Sequence, residues 1–468
     1  MKIPLILICV LLSAASMRAE RLNVVFFLVD DLGYHDLSLT GSEVYETPNV
    51  DQLAADGALL TQAYAAFPRC VPSRYAMISG VHPSRAESEG ERLTHMSLER
   101  VTIAEALKDH GYTTFFAGKW HLGKSEDRYP SAQGFDVSVG AGSAGAPGTY
   151  IAPYTAEKNL SGPEVLNAPQ GEYLTDRLTD ETIGFIEQNG DEPFFVYLSH
   201  YGVHTPLEGK SEKVAYYEKK IEGIGFESEQ FAFGIDGRRR VNQDNAIYAA
   251  MIESVDESLG RIVECLEKEG LSENTIVIFT SDHGGLSNSG SENKRPLATS
   301  NSPLRAGKGH MYEGGTRVPV VVKWPGRLEG GKSLQFPITG MDYFPTILEM
   351  LDLPQRPDAH VDGESFVPGL LGRESFNEDR SFFWYSDTGR RRSTGDFNAA
   401  VLRKGKYKLM QFFTEDKVEL YDLSLDVGED NDLSNQLPEV RSRMLEELIE
   451  WKKSMSVRDK QQSKKRDY

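Results

Sequence analysis

Cysteine is scarce in this chain of 468 residues, which contains only Cys9, Cys70 and Cys265. A protein with so few cysteines has no disulfide framework. Cys9 lies in an apolar N-terminal stretch, and Cys265 lies in the pattern of an amphipathic helix, where a buried core thiol is expected. Cys70 is left without a partner, so its role must be sought in its own surroundings.

Long hydrophobic runs are also rare. The apolar run over residues 3–12 follows Lys2 and precedes the small residues 13–16. It is too short to span a membrane, and this order of charge, apolar stretch and small residues is typical of a secretory signal. The sequence therefore predicts a signal peptide over residues 1–19, no membrane span elsewhere, and a secreted or periplasmic protein.

Positive charge is in deficit. Lysine and arginine number 51 against 70 aspartates and glutamates, which gives a formal net charge of −19. Such a chain repels the phosphate backbone, so nucleic acid is excluded as a partner. A small anionic substrate is still possible, because a local group of cations can override the overall charge.

Strand and helix patterns alternate up to about residue 350. Unbroken apolar runs predict strands buried on both faces at 24–29, 113–117, 194–198 and 275–280. Helical periodicity covers 49–57, 102–110, 174–189 and 245–269. This order predicts an α/β fold with a large, mostly parallel (mixed) central sheet sandwiched by helices.

The pattern changes from about residue 375. Short strand patterns at 381–385, 399–403, 407–413 and 419–423, with a helix over 438–455, predict a smaller C-terminal antiparallel sheet plus helix. We place the main domain at 20–370, an α+β subdomain at 371–455 and a disordered tail at 456–468. The segments 140–148 and 206–240 are predicted to be long loops beside the functional site.

The stretch Cys70-Val71-Pro72-Ser73-Arg74 is an unusual way to enter an apolar segment. An early proline and a serine suited to capping predict a short helix that starts near Pro72 or Ser73. Cys70 would then lie at or just before the helix N-terminus, where backbone N–H groups attract an anion. Arg74 adds a fixed positive charge one turn into the helix.

Carboxylates follow two of the predicted buried strands, Asp30 and Asp31 after one and Asp282 with His283 after the other. Ligands of open α/β sheets bind at the carboxyl ends of the strands, so these side chains are expected to converge. An adjacent Asp pair can also be a simple turn or helix cap. The second acidic strand end favours a divalent cation, and mostly oxygen ligands favour Ca²⁺ over Mg²⁺ or Mn²⁺.

Basic side chains follow the other two strands. Lys119 and His121 come after one, and His200 and His204 after the other. The alternatives for Lys119 and His121 are a surface lysine and a histidine packed on Trp120, and His200 is equally compatible with a pocket or the core. Further along, Lys308 lies between glycines, which let the backbone approach a ligand closely.

These blocks resemble, in the same order, the type I sulfatases of the alkaline phosphatase superfamily. The signature is Cys70-Val71-Pro72-Ser73-Arg74, and the resemblance extends over roughly residues 21–451, with 20–370 as the catalytic domain. It implies that Cys70 is oxidised to formylglycine by a formylglycine-generating or anaerobic sulfatase-maturating enzyme. It also implies a set of metal ligands: Asp30, Asp31, Cys70, Asp282 and His283. Many family members have asparagine in place of His283.

The resemblance implies a catalytic set of Cys70, Arg74, Lys119, His121, His204 and Lys308. In the family, the hydrated aldehyde is the nucleophile, and the histidine that matches His121 holds it. Lys119, His204 and Lys308 contact the substrate, and His204 or Lys308 protonates the leaving alcohol. Secretion and the long loops favour a sulfated saccharide as substrate.

Two other functions stay open: a phosphate or phosphonate monoester hydrolase on the same scaffold, and a catalytically inactive protein that binds sulfated glycans. The arginines at 238–240 and Arg295 are either a solvated charge cluster or contacts to additional sulfates or carboxylates. Neither the sugar nor the oligomeric state follows from the sequence.

Overall fold

A computed structural model describes residues 21–154, 168–226, 229–234, 237–292 and 294–457. The predicted signal peptide and nearly all of the predicted tail lie outside these residues. The strands are β1 (Asn23–Val29), β2 (Ala58–Tyr64), β3 (Thr113–Gly118), β4 (Val137–Val139), β5 (Phe194–Ser199), β6 (Phe231–Gly234), β7 (Gly237–Arg240), β8 (Thr275–Ser281), β9 (Asn288–Ser289), β10 (Arg317–Lys323), β11 (Lys332–Thr339), β12 (Phe382–Ser386), β13 (Ala399–Lys404), β14 (Tyr407–Phe412) and β15 (Lys417–Asp422). The α-helices are α1 (Pro48–Asp56), α2 (Cys70–Ser79), α3 (Pro83–Ser88), α4 (Ile103–Lys108), α5 (Leu174–Asn189), α6 (Ser211–Ile224), α7 (Ala246–Lys268), α8 (Glu313–Thr316), α9 (Tyr343–Met350), α10 (Val367–Leu370) and α11 (Pro438–Ser454).

The central sheet has eight strands in the order β11-β2-β10-β8-β1-β5-β3-β4. β1 lies in its middle and pairs in parallel with β5 and β8, whereas β10 runs antiparallel to both β2 and β8. Every residue of β1 is buried, because its alternate side chains enter two different cores. The prediction of a mostly parallel, mixed sheet between helices is confirmed.

Helices cover both faces of this sheet. One core joins β1 to α5 and α7, and the other joins it to α2, α4 and α9. Phe26 stacks on Tyr197 on one face, while Phe27 stacks on Phe279 on the other. The predicted helix over 174–189 has the same bounds as α5, and α7 ends within a residue of its prediction at either end.

The C-terminal sheet is an antiparallel meander, β12-β13-β14-β15. Leu402, Leu409 and Leu420 on one face pack against α11, and the opposite face carries Trp384. The indole of Trp384 donates a hydrogen bond of 2.8 Å to the carbonyl of Ala65, so this sheet is fixed to the loop that leads to Cys70. The predicted smaller sheet plus helix is confirmed, whereas the exact division at residue 370 stays a prediction.

Two local predictions were wrong. The segment 206–240 is not one long loop, because it contains α6 and the hairpin of β6 and β7. The apolar side of α6 is narrow and mostly half-buried, so charged residues mask the helical pattern. α2 starts at Cys70 rather than at Pro72 or Ser73, and Arg69 precedes it without a capping side-chain hydrogen bond. None of the described helices is both long enough and apolar enough to cross a membrane.

Candidate active site

Four strands of the central sheet deliver polar residues to one edge. Asp30 and Asp31 follow β1, and Asp282 and His283 follow β8 directly. β3 leads to Lys119 and His121, and β5 leads through a turn to His204. Because β1, β3, β5 and β8 are parallel, their carboxyl ends meet, and the predicted convergence is what the structure shows.

Asp31 has a left-handed backbone, with φ of 63°. Consecutive residues of a strand point to opposite faces, so two adjacent aspartates would normally diverge. The change of backbone conformation after β1 lets Asp30 and Asp31 both face the same group of side chains. A left-handed aspartate is locally strained, and its neighbours must hold it in place.

The first turn of α2 is fastened to the end of β8. The hydroxyl of Ser73 donates a hydrogen bond of 2.5 Å to the carbonyl of Asp282. Arg74 donates from Nε to Asp282 Oδ2 at 2.9 Å and from Nη1 to Ser199 Oγ at 2.6 Å. Ser73 therefore anchors the helix rather than capping it, and Cys70 is held beside the carboxylates.

Three buried carboxylates are matched by three buried cations. Asp30 Oδ2 lies 2.5 Å from Lys119 Nζ, and its Oδ1 lies 3.3 Å from Arg74 Nη2. Both oxygens of Asp31 lie 2.7 Å from Lys308 Nζ, and Asp282 is paired with Arg74. Charges this deep in a protein persist only when they are paired.

The carboxyl groups differ in how well their charge is compensated. Burial raises the pKa of Asp30 well above its ordinary value in spite of Lys119. Burial acts on Asp31 in the same direction, but Lys308 and then His204 outweigh it and hold the pKa of Asp31 well below its usual range. Asp30 is thus the carboxylate that gains most from additional positive charge.

The donor atoms fit a divalent cation. One ligand atom from each of Asp30, Cys70, Asp282 and His283 lies within 4.8 Å of the others, and Asp31 Oδ1 lies 3.3 Å from His283 Nε2. Carboxylate oxygens dominate this set, which suits a hard ion such as Ca²⁺. His283 Nδ1 lies 3.1 Å from the carbonyl of Gly284, so donation there leaves Nε2 as the coordinating nitrogen.

The thiol of Cys70 lies at the centre of these groups and is 6% exposed. Its Sγ is 3.2 Å from His283 Nε2 and 3.7 Å from Asp30 Oδ1. Burial raises the pKa of this thiol, but the nearby ammonium groups of Lys119 and Lys308 outweigh burial and hold it well below its ordinary value. The surroundings of Cys70 therefore favour a negatively charged atom at this position.

His121 lies next to Cys70 and is tightly enclosed. Its φ is 59°, and a Cβ added to Gly145 would lie 2.4 Å from His121 Cε1, so the loop over 140–148 must carry a glycine there. Burial lowers the pKa of His121. Burial therefore favours the neutral form of this ring, while its contact with Cys70 acts in the opposite direction.

His204 closes another side of the site. Its Nδ1 lies 2.6 Å from the carbonyl of Thr205, and its Nε2 lies 3.7 Å from Asp31 Oδ2. If Nδ1 donates to Thr205, Nε2 is the nitrogen that faces the site. Burial, and next Lys308, lowers the pKa of His204 to about 3.

The other basic residues considered in the sequence lie in different environments. His200 is a core residue, because its Nε2 lies 2.9 Å from Ser258 Oγ and its ring packs against Phe27. Arg240 is buried against Asp244, and Arg238 lies over the ring of Phe231. Of the arginines at 238–240 and 295, only Arg295 lines the cavity above Cys70.

That cavity has a volume of about 1310 Å³. Cys70, His121, His204 and Lys308 lie on its wall, together with residues of β12 and the loop after it. Arg69, which lies between β2 and Cys70, and Arg390, which follows β12, also line it. The run of arginines at 390–392 is visible in the sequence, but no sequence pattern connects that run to Cys70.

Comparison with known proteins supports this picture. The chain matches the family described as Sulfatase over residues 22–353, and the family described as N-sulphoglucosamine sulphohydrolase, C-terminal, over residues 306–454. Human steryl-sulfatase (Homo sapiens) is 29% identical and covers 82% of this chain and 76% of its own length. A sulfatase of Formosa agariphila is 28% identical, with 92% and 89% covered. The solved structure of Ps i-CgsB in complex with k-i-k-neocarrahexaose has a TM-score of 0.76 at 27% identity, with 95% of this chain and 94% of that chain covered.

The match to the Sulfatase family, together with these relatives, places the protein in the alkaline phosphatase superfamily. Within that superfamily the chain belongs to the sulfatase family, and it is a sulfuric ester hydrolase.

Proposed function

We propose that this protein is a secreted or periplasmic carbohydrate sulfatase that uses formylglycine at position 70 and one bound Ca²⁺. One observation carries the proposal: Cys70, unpaired and at the first turn of α2, lies between buried carboxylates and cations at the wall of a large cavity. A formylglycine-generating or anaerobic sulfatase-maturating enzyme would be the partner that modifies it.

The modified residue would supply a hydroxyl nucleophile as its aldehyde hydrate, and the cation would neutralise sulfate oxygens. The chain's own residues do the rest. Lys308 and His204 both line the cavity and face the bound ester, where Lys308 contributes positive charge. His121 holds the nucleophilic group. The negative charge of the bound ester would raise the low pKa of His204, so that Nε2 can take up a proton and then donate it to the leaving alcohol.

Arg74 and Lys119 also have a structural role, because both side chains are buried against the carboxylates. Lys119 is fully buried and pairs with Asp30, and Arg74 bridges Asp30 and Asp282. They fix the carboxylates in place and add positive charge beneath the sulfate. Asp30, Asp31, Asp282 and His283 would hold the cation, with Cys70 contributing through its modified side chain.

A saccharide suits the cavity better than a sterol does. The cavity exceeds the roughly 300–1,000 Å³ of pockets for drug-sized ligands, and charged residues line much of it. Human steryl-sulfatase is a relative, but the structure of Ps i-CgsB was determined with the hexaose named k-i-k-neocarrahexaose. The size of the cavity and its charged lining therefore favour a saccharide substrate, as in the Ps i-CgsB complex, over a sterol.

The test combines modification, metal and substrate. Protein co-expressed with a formylglycine-generating enzyme should show the mass change of Cys70 oxidation in its peptides and should release sulfate from a panel of defined sulfated saccharides. Cys70→Ala should be inactive, whereas Cys265→Ala, which removes the other described thiol, should stay modified and active. Full activity with an unmodified Cys70 would overturn the nucleophile assignment.

The same panel addresses the two alternatives. Faster hydrolysis of matched phosphate or phosphonate esters would identify a phosphate or phosphonate monoester hydrolase. Saccharide binding without turnover, by protein whose Cys70 is modified, would identify a glycan-binding protein without catalysis. Hydrolysis of a sulfated saccharide in preference to both is the outcome that we expect.

A further inference from the structure

Four arginines line the cavity: Arg92 is next to Glu91 in the chain, and the other three come from distant parts of the chain. We call these three the arginine wall: Arg69 precedes α2, Arg295 follows β9, and Arg390 follows β12. Arg69 follows β2 and is adjacent to Cys70 in the chain, whereas Arg295 and Arg390 come from the loops after β9 and β12, outside the central sheet. Arg295 and Arg390 are therefore placed to contact a part of the substrate other than the sulfate that is removed.

The charges of the wall are not all compensated. Arg69 pairs with Asp396 and also donates to the carbonyl of Thr388 at 3.1 Å. Over the described residues, neither Arg295 nor Arg390 has a carboxylate within salt-bridge distance. The proximity of Arg69, followed by burial, lowers the pKa of Arg390; Asp396 offsets part of this effect, and Arg295 adds to it. Like charges held together in this way are stabilised when an anion binds between them.

The backbone around both arginines is held in place. The N–H of Arg390 donates to Asp396 Oδ2 at 3.2 Å, and its carbonyl accepts hydrogen bonds from the N–H groups of the turn at 393–395. The carbonyl of Arg295 accepts a hydrogen bond of 3.2 Å from Arg238 Nη2, and the guanidinium of Arg238 lies 4.4 Å from the ring centre of Phe231. The hairpin of β6 and β7 therefore positions Arg295, and the two guanidinium groups start from fixed backbone positions.

The rest of the cavity lining carries charges of both signs. Glu87 and Glu91 line it together with Arg92 and Lys124, and Glu91 is paired with Arg100. Asp387 also belongs to the lining. The arginine wall supplies three of the cationic side chains of the cavity, so an anionic group of the substrate is attracted to it.

We propose that Arg295 and Arg390 form a subsite for a second anionic group of the saccharide, either a uronate carboxylate or a further sulfate. This inference rests on the proposed carbohydrate sulfatase function and names the class of substrate: a saccharide that carries at least one negative charge besides the sulfate ester that is hydrolysed. A guanidinium binds both kinds of anion through paired N–H groups.

The experiment compares matched substrates on fully modified enzyme. Three disaccharides share the sulfated sugar to be cleaved: one has a neutral neighbouring sugar, one has a uronate neighbour, and one has a neutral neighbour with a second sulfate. The selectivity ratio is kcat/KM for each doubly charged substrate divided by kcat/KM for the singly charged one. The wild type should show a ratio of about 10 or more for at least one anion, and the arm with the higher ratio identifies that anion.

The variants test whether the wall is the cause. Arg390→Gln and Arg295→Gln should each lower the selectivity ratio by about tenfold, chiefly through KM, and Arg390→Lys should retain part of it. Arg391→Gln is the matched control, because Arg391 pairs with Glu415, stacks on Phe397 and lies outside the lining of this cavity. It removes the same charge one residue away and should leave the ratio unchanged.

The outcomes separate the two proposals. Absence of sulfate release from all three disaccharides and from nitrophenyl sulfate, with Cys70 modified, would overturn the proposed function. Release with a wild-type ratio near 1, or an equal fall in the ratio for Arg390→Gln and Arg391→Gln, would overturn the subsite alone. Melting curves of each variant show whether a lost ratio comes from a damaged fold, and Arg390→Lys then provides the decisive comparison.

Discussion

Lys408 offers a sharp test of how the C-terminal sheet is attached. Its ammonium group lies 2.9 Å from Glu313 Oε1 and 2.9 Å from Glu429 Oε1, and all three side chains are fully buried. Glu429 also accepts a hydrogen bond of 2.7 Å from the N–H of Glu313. Because Glu313 begins α8 just after the Lys308 loop, this network joins the smaller sheet to the active site.

Replacing Lys408 with methionine keeps the volume and removes the charge. Each pair contributes roughly 6 kcal/mol of attraction at an effective dielectric constant of about 20, which is offset by desolvation. Both carboxylates lose the ammonium group, and Glu313 keeps only the longer pair with Arg317 at 3.7 Å, so the free energy of unfolding should fall by about 3–5 kcal/mol. Denaturant unfolding followed by circular dichroism measures this difference.

The matched control is Lys406→Met. Lys406 pairs with Asp422 at 2.7 Å but is half exposed, so water screens the pair and its removal should cost much less stability than the removal of Lys408. Equal stability of the Lys408→Met and Lys406→Met variants would refute the assignment of a stabilising buried network.

The loss of unfolding free energy caused by Lys408→Met should depend on pH. Burial, and next Glu313, raises the pKa of Glu429 from its ordinary value of 4.5 to about 7 even with Lys408 present. A raised carboxyl pKa contributes stability that is complete below pH 4.5 and is lost as the pH rises to about 7. Without Lys408 both carboxyls bind protons more readily in the folded state. The loss of stability caused by Lys408→Met should therefore be smaller at pH 5 than at pH 7. A deficit that stays constant over this range would contradict the reasoning.

The remaining predictions concern the active site. Asp30→Asn should reduce metal content below the roughly one ion per chain expected by elemental analysis of the wild type, together with the rate; an unchanged metal content would remove Asp30 from the ligand set. His204→Ala should reduce kcat/KM on a sulfated saccharide at least about tenfold more than on nitrophenyl sulfate, whose phenolate leaves without a proton, and equal losses would exclude an acid role. Gly145→Ala should reduce activity about 10- to 100-fold, because its Cβ would displace the ring of His121; unchanged kinetics would show that His121 need not be held.

The sequence predicted the carboxyl edge of the sheet well, for a physical reason. Asp30, Asp282 and Lys119 each follow an apolar run, and parallel strands bring such residues together whatever their distance along the chain. The geometry within the edge was not predictable, since the left-handed backbone of Asp31 and the position of Ser73 depend on tertiary contacts.

The sequence alone did not predict that the residues of the arginine wall lie together. Arg390 reaches the cavity because the C-terminal sheet docks against Ala65 and Arg69, and no periodicity reports that docking. Arg295 was considered with the arginines at 238–240 as one cluster, but the structure separates them into a cavity residue, its support Arg238 and the buried Arg240. The segment 206–240 failed as a loop prediction because α6 covers the core with only a narrow apolar side.

Because the C-terminal sheet docks beside Cys70, one part of the gene encodes the charged residues around Cys70 and a later part encodes much of the cavity wall. Residues 385–394 help to line the cavity, yet the carboxylates and lysines around Cys70 come from segments before residue 310. Substitutions in the later stretch can alter which sulfate ester enters the cavity while the groups around Cys70 stay unchanged. A duplicated copy of this gene can therefore acquire a new substrate through changes in its last fifth, without rebuilding the catalytic edge.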